Sequence, residues 1–463
     1  MKRCEIIVEK YGKIEHVKLK LSELMLFVGD NNSGKSYLLS LLWALQNLGV
    51  NVLIPDSFLV ENEKAKQLRE IIITKMNNCI KKGKETISLK EYYVCLENII
   101  NESLELQKDI ICTKIFNSET VSVGNLQIII DKTNDIEYEF EFNSGSGAIM
   151  LSANFPHQYG YFIDFDKLNF SVDKDSAYGL LNDRLLECSL FFIKAIYASL
   201  LEIEFHGINS TTDSIYLPAA RTGFMLTKNV INQVGRSIAF NSEVNTEQII
   251  PFIRPINSFL DVINSLSVES VGYDKYKDII AYIETEMTYG TIEISDLPSK
   301  EIFYMPQGKE QNIPLRVVSA VVSELSPLIL ILKHFGKVKT FYYEEPEMCL
   351  HPQLQNRIAN IICKLVNCGT DIIVTTHSDI IIQYINNMIA LSNRVDKEQI
   401  YQKLGYSEND ILDSNKVSVY QLESKDDNVT KVEKVPCGKN GFVVDSFNDA
   451  LDKIMNEAYT IQE

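Results

Sequence analysis

The sequence lacks several features that would assign it to a specialised class. Its apolar run Leu328–Leu332 falls far short of the about 20 residues that cross a bilayer, so no membrane segment is expected. The N-terminal MKRCEIIVEKYGKIEH is charged throughout and carries no apolar signal core. Cysteine is sparse and unpaired: the nine residues are an odd number, none sits in a CxxC pair, and no histidine or second cysteine pair lies at zinc spacing around Cys363 and Cys368. Reduced, mostly buried thiols in a cytoplasmic protein are the expectation. Positive charge is in deficit, with 45 Lys and Arg against 62 Asp and Glu and a net charge of −17. That excludes a uniformly basic nucleic-acid coat, though not a local basic patch. No heptad pattern runs long enough for a coiled-coil arm, and no internal repeat stands out. What remains is ordinary globular composition, 45% hydrophobic and 23% charged, which excludes collagen-like and wholly disordered chains.

What is present begins at Leu24–Val28 (LMLFV), a continuous apolar run of the kind a strand buried on both faces requires. Gly29-Asp30-Asn31-Asn32-Ser33-Gly34-Lys35-Ser36 follows, matching G-x-x-x-x-G-K-[ST] at every fixed position, and then leucines at helical spacing from Leu38 to Leu48. In this context Gly29, Asn31, Asn32, Ser33 and Gly34 are predicted to curl backbone N–H groups around phosphate oxygens at a helix N-terminus. Lys35 is predicted to reach the β- and γ-phosphates of ATP, and the Ser36 hydroxyl to ligate Mg2+.

Far downstream, Val338–Tyr343 reads as a strand ending in Glu344-Glu345-Pro346-Glu347. A carboxylate at a buried strand end can hold Mg2+ and its neighbour can polarise water, so Glu344 is assigned to the metal and Glu345 to general-base catalysis. Taken alone, the same segment would also suit a strand leaving the core into a solvated acidic turn. A further short strand, Asp371–Thr375, closes on Thr376-His377-Ser378-Asp379, and a histidine there can contact a γ-phosphate or orient water.

The ordered series resembles an ABC-type ATPase head of the SMC-like and OLD-like branch. GDNNSGKS is similar to its Walker A motif, FYYEEPEMCLHP to its Walker B and D-loop, and VTTHSD to its switch-histidine motif. Glu344 stands where many ABC proteins carry Asp. The resemblance implies an α/β P-loop NTPase fold with an antiparallel β-layer and helical insertions. It also implies pairing of two heads around ATP, because Ser319, in the place of the family's signature motif but without its paired glycines, would reach the γ-phosphate of a nucleotide held by a second subunit. Tyr216-Leu217-Pro218-Ala219-Ala220-Arg221 also fits the branch, with Arg221 near the nucleotide, at a subunit contact or simply in a structural turn.

The motifs divide the chain. Residues 1–56 and 312–463 are expected to carry the two motif-bearing parts of the head, 57–115 and 225–311 two mainly helical inserts, and 116–224 the β-layer with a helix. The 57–115 helices read either as solvated packing helices or as an arm for a partner. VSVGNLQIIIDKTNDIEYEFEF reads as antiparallel strands around the turn Lys132–Asp135, and YGYFIDF follows. The C-terminal stretch reads as a strand pair and a closing helix, with Asp445 and Asp449 as charges at its N-terminus. The nuclease-bearing relatives continue into a Toprim domain, for which the residues up to Glu463 leave no room, so no intrinsic nuclease is expected.

The function these readings favour is an ATP-hydrolysing sensor or regulatory subunit of a prokaryotic anti-phage system, with PARIS-type systems the better fit and Septu-type ones also compatible. Its expected partners are a second copy, a separately encoded toxic effector such as a nuclease, and a phage-encoded trigger. The alternative is a RecF-like or short SMC-like repair ATPase binding duplex DNA directly. Lys64, Lys66, Lys81, Lys82 and Lys84 would be its densest basic cluster.

Overall fold

The computed structural model describes residues 4–133, 135–143, 148–154, 178–201, 214–239, 252–267, 274–295, 300–336, 338–425, 429–439, 441–444, 455–457 and 459–461. Three strands open the chain, β1 (Cys4–Tyr11), β2 (Ile14–Lys20) and β3 (Leu24–Gly29), and the glycine loop leads into α1 (Lys35–Asn47). Short helices α2 (Val50–Leu53) and α3 (Asp56–Glu61) precede α4 (Glu63–Lys82), β4 (Lys84–Ser88) and α5 (Tyr93–Phe116). Strands β5 (Val123–Ile130), β6 (Glu137–Asn143) and β7 (Ala148–Asn154) are followed by α6 (Tyr178–Leu201), β8 (Ser214–Leu217), α7 (Arg221–Ala239), α8 (Arg254–Ser265) and α9 (Lys277–Glu286). A small sheet of β9 (Gly290–Ile294), β10 (Ile302–Pro306) and β11 (Ile313–Pro314) precedes α10 (Ala320–His334). The chain continues through β12 (Thr340–Glu344), α11 (Pro352–Asn367), β13 (Asp371–Thr376), α12 (Asp379–Ser392), α13 (Lys397–Leu404), β14 (Val417–Lys425) and β15 (Val429–Val435).

Nine of these strands form one mixed sheet in the order β5-β1-β2-β15-β14-β3-β13-β12-β8. From β14 to β8 every neighbouring pair is parallel, so their carboxyl ends share one edge. The other end of the sheet carries the antiparallel pairs β5-β1 and β1-β2, joined to the rest by the parallel pair Thr430 and Ile14. Each face of the parallel part is covered, as such sheets require. Met25 and Phe27 of β3 pack on one side with the α1 leucines, and Leu24, Leu26 and Val28 pack on the other with α10, α11 and α12. The apolar run 24–28 is thus a central strand buried throughout. This is an α/β P-loop NTPase architecture with antiparallel strands and helical additions, as the motif series implied. Among the described residues no helix is long and apolar enough to cross a membrane.

The segment 57–115 carries two long helices, α4 and α5: Asn62 caps α4 by accepting from Ala65 N, Gly83 (φ 87°) ends it, and the alternating KETIS between them pairs with β6 as β4. One local expectation fails: the turn 132–135 does not join two paired strands. β5 lies against β1 in the large sheet, while β6 lies between β4 and β7 in a separate one. Both strands alternate, but register is set by the face each must bury, and those faces belong to different cores. Pro255 sits in the first turn of α8, where a missing N–H costs nothing. The YGYFIDF segment, Pro251, Asp445, Asp449 and most of the closing helix lie outside the described residues.

Candidate active site

The glycine loop is shaped by backbone demands that only its residue types meet. Gly29 ends β3 at φ 130°, and a Cβ there would lie 2.0 Å from Leu422 O of β14, so both conformation and contact demand glycine. Gly34 (φ 99°) caps α1, Asn32 takes φ 59°, and the first turn of α1 carries no acidic residue. The positive end of the α1 dipole is therefore left open to an anion. Inside the curl, Lys35 is 5% exposed, and its Nζ donates to Gly29 O at 3.0 Å and Asp30 O at 2.6 Å. Ser33 is fully buried beneath the loop, whereas Asn31, Asn32 and Ser36 are exposed. The C-terminal strand β14 braces the same loop, since Asp30 N donates to Leu422 O and Ser424 N to Asp30 Oδ2.

Strand order brings the remaining motifs to this loop. β13 lies directly between β3 and β12, which pairs Thr376 with Val28 and Glu344 with Thr375. Glu345 therefore begins beyond the sheet edge, where its N–H donates to Thr375 O at 2.9 Å. Its carboxylate Oε1 stands 3.7 Å from His377 Nε2, beyond hydrogen-bond reach but within range of charge. Glu344 sits on the α1 side of the sheet. Its Oε2 accepts from Ala219 N at 2.9 Å, and it also bonds the Tyr216 hydroxyl, which lies 3.4 Å from Ser40 Oγ. Ser40 is one turn beyond Ser36 on the same face of α1. Among the described residues no group of three or more His, Cys, Asp or Glu side chains is arranged to hold a metal. One carboxylate and one hydroxyl beside phosphates are the donor set that Mg2+ commonly takes.

Glu347, to which the strand-end pattern assigns no role, closes the site. Its Oε1 accepts from His377 N at 2.6 Å, so it holds the start of the histidine loop against the β12 loop. Burial pushes its carboxyl up, partly opposed by the N–H of His377 and the Thr376 hydroxyl. The third acid of the motif was the available signal. Ser319 is not part of this cluster. It stands at the N-cap position of α10, exposed, in a separate cleft of about 420 Å3 lined by Met287, Tyr289, Tyr304, Val317 and Leu354. Arg221 is fully buried, its guanidinium donating to the carbonyls of Pro218, Glu344 and Glu345.

Burial lowers Lys35 to about 8 and outweighs the upward pull of Glu345, Asp30 and Glu347. Burial, then the Lys35 charge, also lowers His377, which is neutral near pH 7 and able both to donate and to accept. The first shift carries a prediction. Only the ammonium form of Lys35 attracts phosphate, and bound phosphate returns its pKa upward. Affinity for a non-hydrolysable ATP analogue should be flat below pH 8 and fall by up to about tenfold per unit above it. Fluorescence titration from about pH 7 to about pH 9.5 reads this directly, and a flat profile would remove Lys35 from phosphate binding.

A family model described as an AAA ATPase domain matches residues 1–155 and 203–382, well over half of the chain. No curated protein sequence matches it. Solved structures that resemble it remotely include an SMC head bound to the C-winged helix domain of ScpA, 12% identical over 94% of this chain and 98% of that one, with a TM-score of 0.36. An Smc head domain with an extended coiled coil, bound to the C-terminal domain of ScpA derived from Pyrococcus furiosus, is 12% identical over 99% of both chains, with a TM-score of 0.35. The SMC head domain from Thermotoga maritima is 10% identical over 94% and 100%, with a TM-score of 0.32. The matched residues take in the glycine loop, both acidic and histidine strand ends and the strands β3, β13, β12 and β8 that align them, and the chain belongs to the AAA ATPase domain family.

Proposed function

We propose that the protein is an ATP-switched regulatory subunit that pairs with a second copy and controls a separately encoded effector, as in the anti-phage ATPases its motifs resemble. The observation that carries the ATPase chemistry is the convergence of Lys35, Glu345 and His377 on one sheet edge. In this reading Gly29, Asn31, Asn32, Ser33 and Gly34 cradle the phosphates and Lys35 supplies the fixed counter-charge. Glu345 takes a proton from the attacking water and His377 orients it toward the γ-phosphate. Ser36 and Glu344 would hold Mg2+, which when bound neutralises charge on the β- and γ-phosphates. Ser319, exposed and away from its own glycine loop, is free to meet nucleotide held by another copy.

Direct DNA binding finds less support. Four of the five lysines of the cluster in the first insert face carboxylates, Lys64 on Glu102, Lys66 on Glu63, Lys82 on Glu85 and Lys84 on Glu139. Lysines already matched by acids release few counterions, so phosphate contacts there would add little. The test is ATP turnover and self-association of the purified protein, each with and without a short duplex. Mg2+-dependent phosphate release and ATP-dependent pairing that Ser319→Arg abolishes are expected. Absence of turnover would end the ATPase-switch reading, and duplex binding at physiological salt with stimulated turnover would replace it with the repair reading.

A further inference from the structure

We infer that Arg221 is a positioning residue for ATP hydrolysis: paired with Glu324, it holds the backbone of Glu345 in place and ties it to the start of α10. The inference rests on the reading of Glu345 as general base and adds a residue that acts through it.

Glu345 is a non-glycine residue with positive φ, at 40°. That conformation is unfavourable for a side chain with a Cβ and persists only where the surroundings over-determine it. Here the peptide is held from both sides. Its N–H donates to Thr375 O, while the guanidinium of Arg221 takes the carbonyls, NH1 donating to Glu344 O at 2.6 Å and NH2 to Glu345 O at 3.0 Å. NH1 also donates to Pro218 O at 2.9 Å, and the guanidinium lies 4.8 Å from the centre of the Tyr343 ring. A planar fork can serve these directions together, whereas the ammonium of lysine is a compact point donor on a flexible stem.

The counter-charge comes from another element. Glu324 Oε1 lies 2.7 Å from Arg221 NH2, both side chains being 1% exposed. Its Oε2 accepts from Thr222 N and Thr222 Oγ1 at 2.9 and 2.7 Å. Glu324 sits on the helix whose N-cap position Ser319 occupies, between one and two turns beyond it. A single buried pair therefore joins the loop of the base to the helix that presents Ser319. Stability alone does not require such a pair, because buried ion pairs replaced as a unit by matched neutral groups commonly leave folds intact.

The test separates position from stability. Arg221→Met/Glu324→Gln removes both charges together and keeps an acceptor for Thr222, and Arg221→Lys keeps charge without the fork. Both should melt cooperatively and bind a non-hydrolysable ATP analogue within about twofold of the parent, while kcat falls by about 10-fold to 100-fold, the scale of a base displaced by an ångström or less. Unchanged kcat in folded protein, or affinity and kcat falling together, would overturn the inference. Should neither variant fold, Thr222→Val decides, since it weakens the anchoring of Glu324 and leaves the pair in place: a several-fold loss of kcat at constant affinity supports the inference and no loss overturns it. Parent and Glu345→Gln protein in the same assay report separately on the ATPase reading itself.

Discussion

Lys35→Ala is expected to abolish measurable ATP hydrolysis and to weaken ATP binding by at least about tenfold, a charged hydrogen bond to phosphate contributing about 1.5–3 kcal/mol. The lysine is buried inside the curl of its loop, with two loop carbonyls as acceptors, so its charge is fixed where phosphate would lie and little reorganisation is needed to use it. Such preorganised charge acts mainly on the transition state, where loss of one donor commonly costs about 100-fold to 1000-fold in rate. Alanine at the first residue of α1 suits helix propensity, and the fold should survive, as circular dichroism would verify. Normal turnover by this variant would remove the assignment of the loop to phosphate binding.

Glu345→Gln should separate binding from chemistry. The amide is nearly isosteric, keeps the backbone contacts to Thr375 and Arg221, and cannot accept the proton of an attacking water. A general base contributes about 100-fold to 10,000-fold, so turnover should fall by that range while ATP affinity is retained. ATP that stays bound should also hold paired heads together, and light scattering with ATP would then report a persistent dimer for this variant against a transient one for the parent. If the variant hydrolyses ATP at the parental rate, Glu345 is not the base. Glu347 would be the neighbouring carboxylate left to test, although one of its oxygens is engaged by His377 N.

The phosphate loop was readable from residues alone because its geometry is local. Gly29 and Gly34 occupy backbone conformations other residues avoid, and the flanking strand and helix announce themselves by continuous and helical apolar patterns. The acidic and histidine strand ends were readable for a related reason: short β-rich runs that end in charge mark the edge of a parallel sheet. Where pattern was ambiguous the reading failed. β5 and β6 alternate equally well as a hairpin or as members of two sheets, and only the burial of their faces decides. The acids that meet two of the lysines of the first insert, Glu102 and Glu139, lie far away in sequence, so that pairing could not be read from neighbouring positions.

By itself, then, the sequence determined the chemistry on offer: a glycine loop for phosphate, carboxylates and a histidine at strand ends, no excess of positive charge and no apolar span. Tertiary structure decided how these parts combine. It placed β13 between β3 and β12, so that His377 stands beside Glu345, and it laid β14 against Gly29. It also buried Arg221 against Glu324, turning a cation in a turn into the anchor of a strained backbone. The division has one physical cause. Residue types and local dihedrals are written in neighbouring positions, whereas strand order and ion-pair partners depend on which faces must be buried together, and that is settled only when the whole sheet closes.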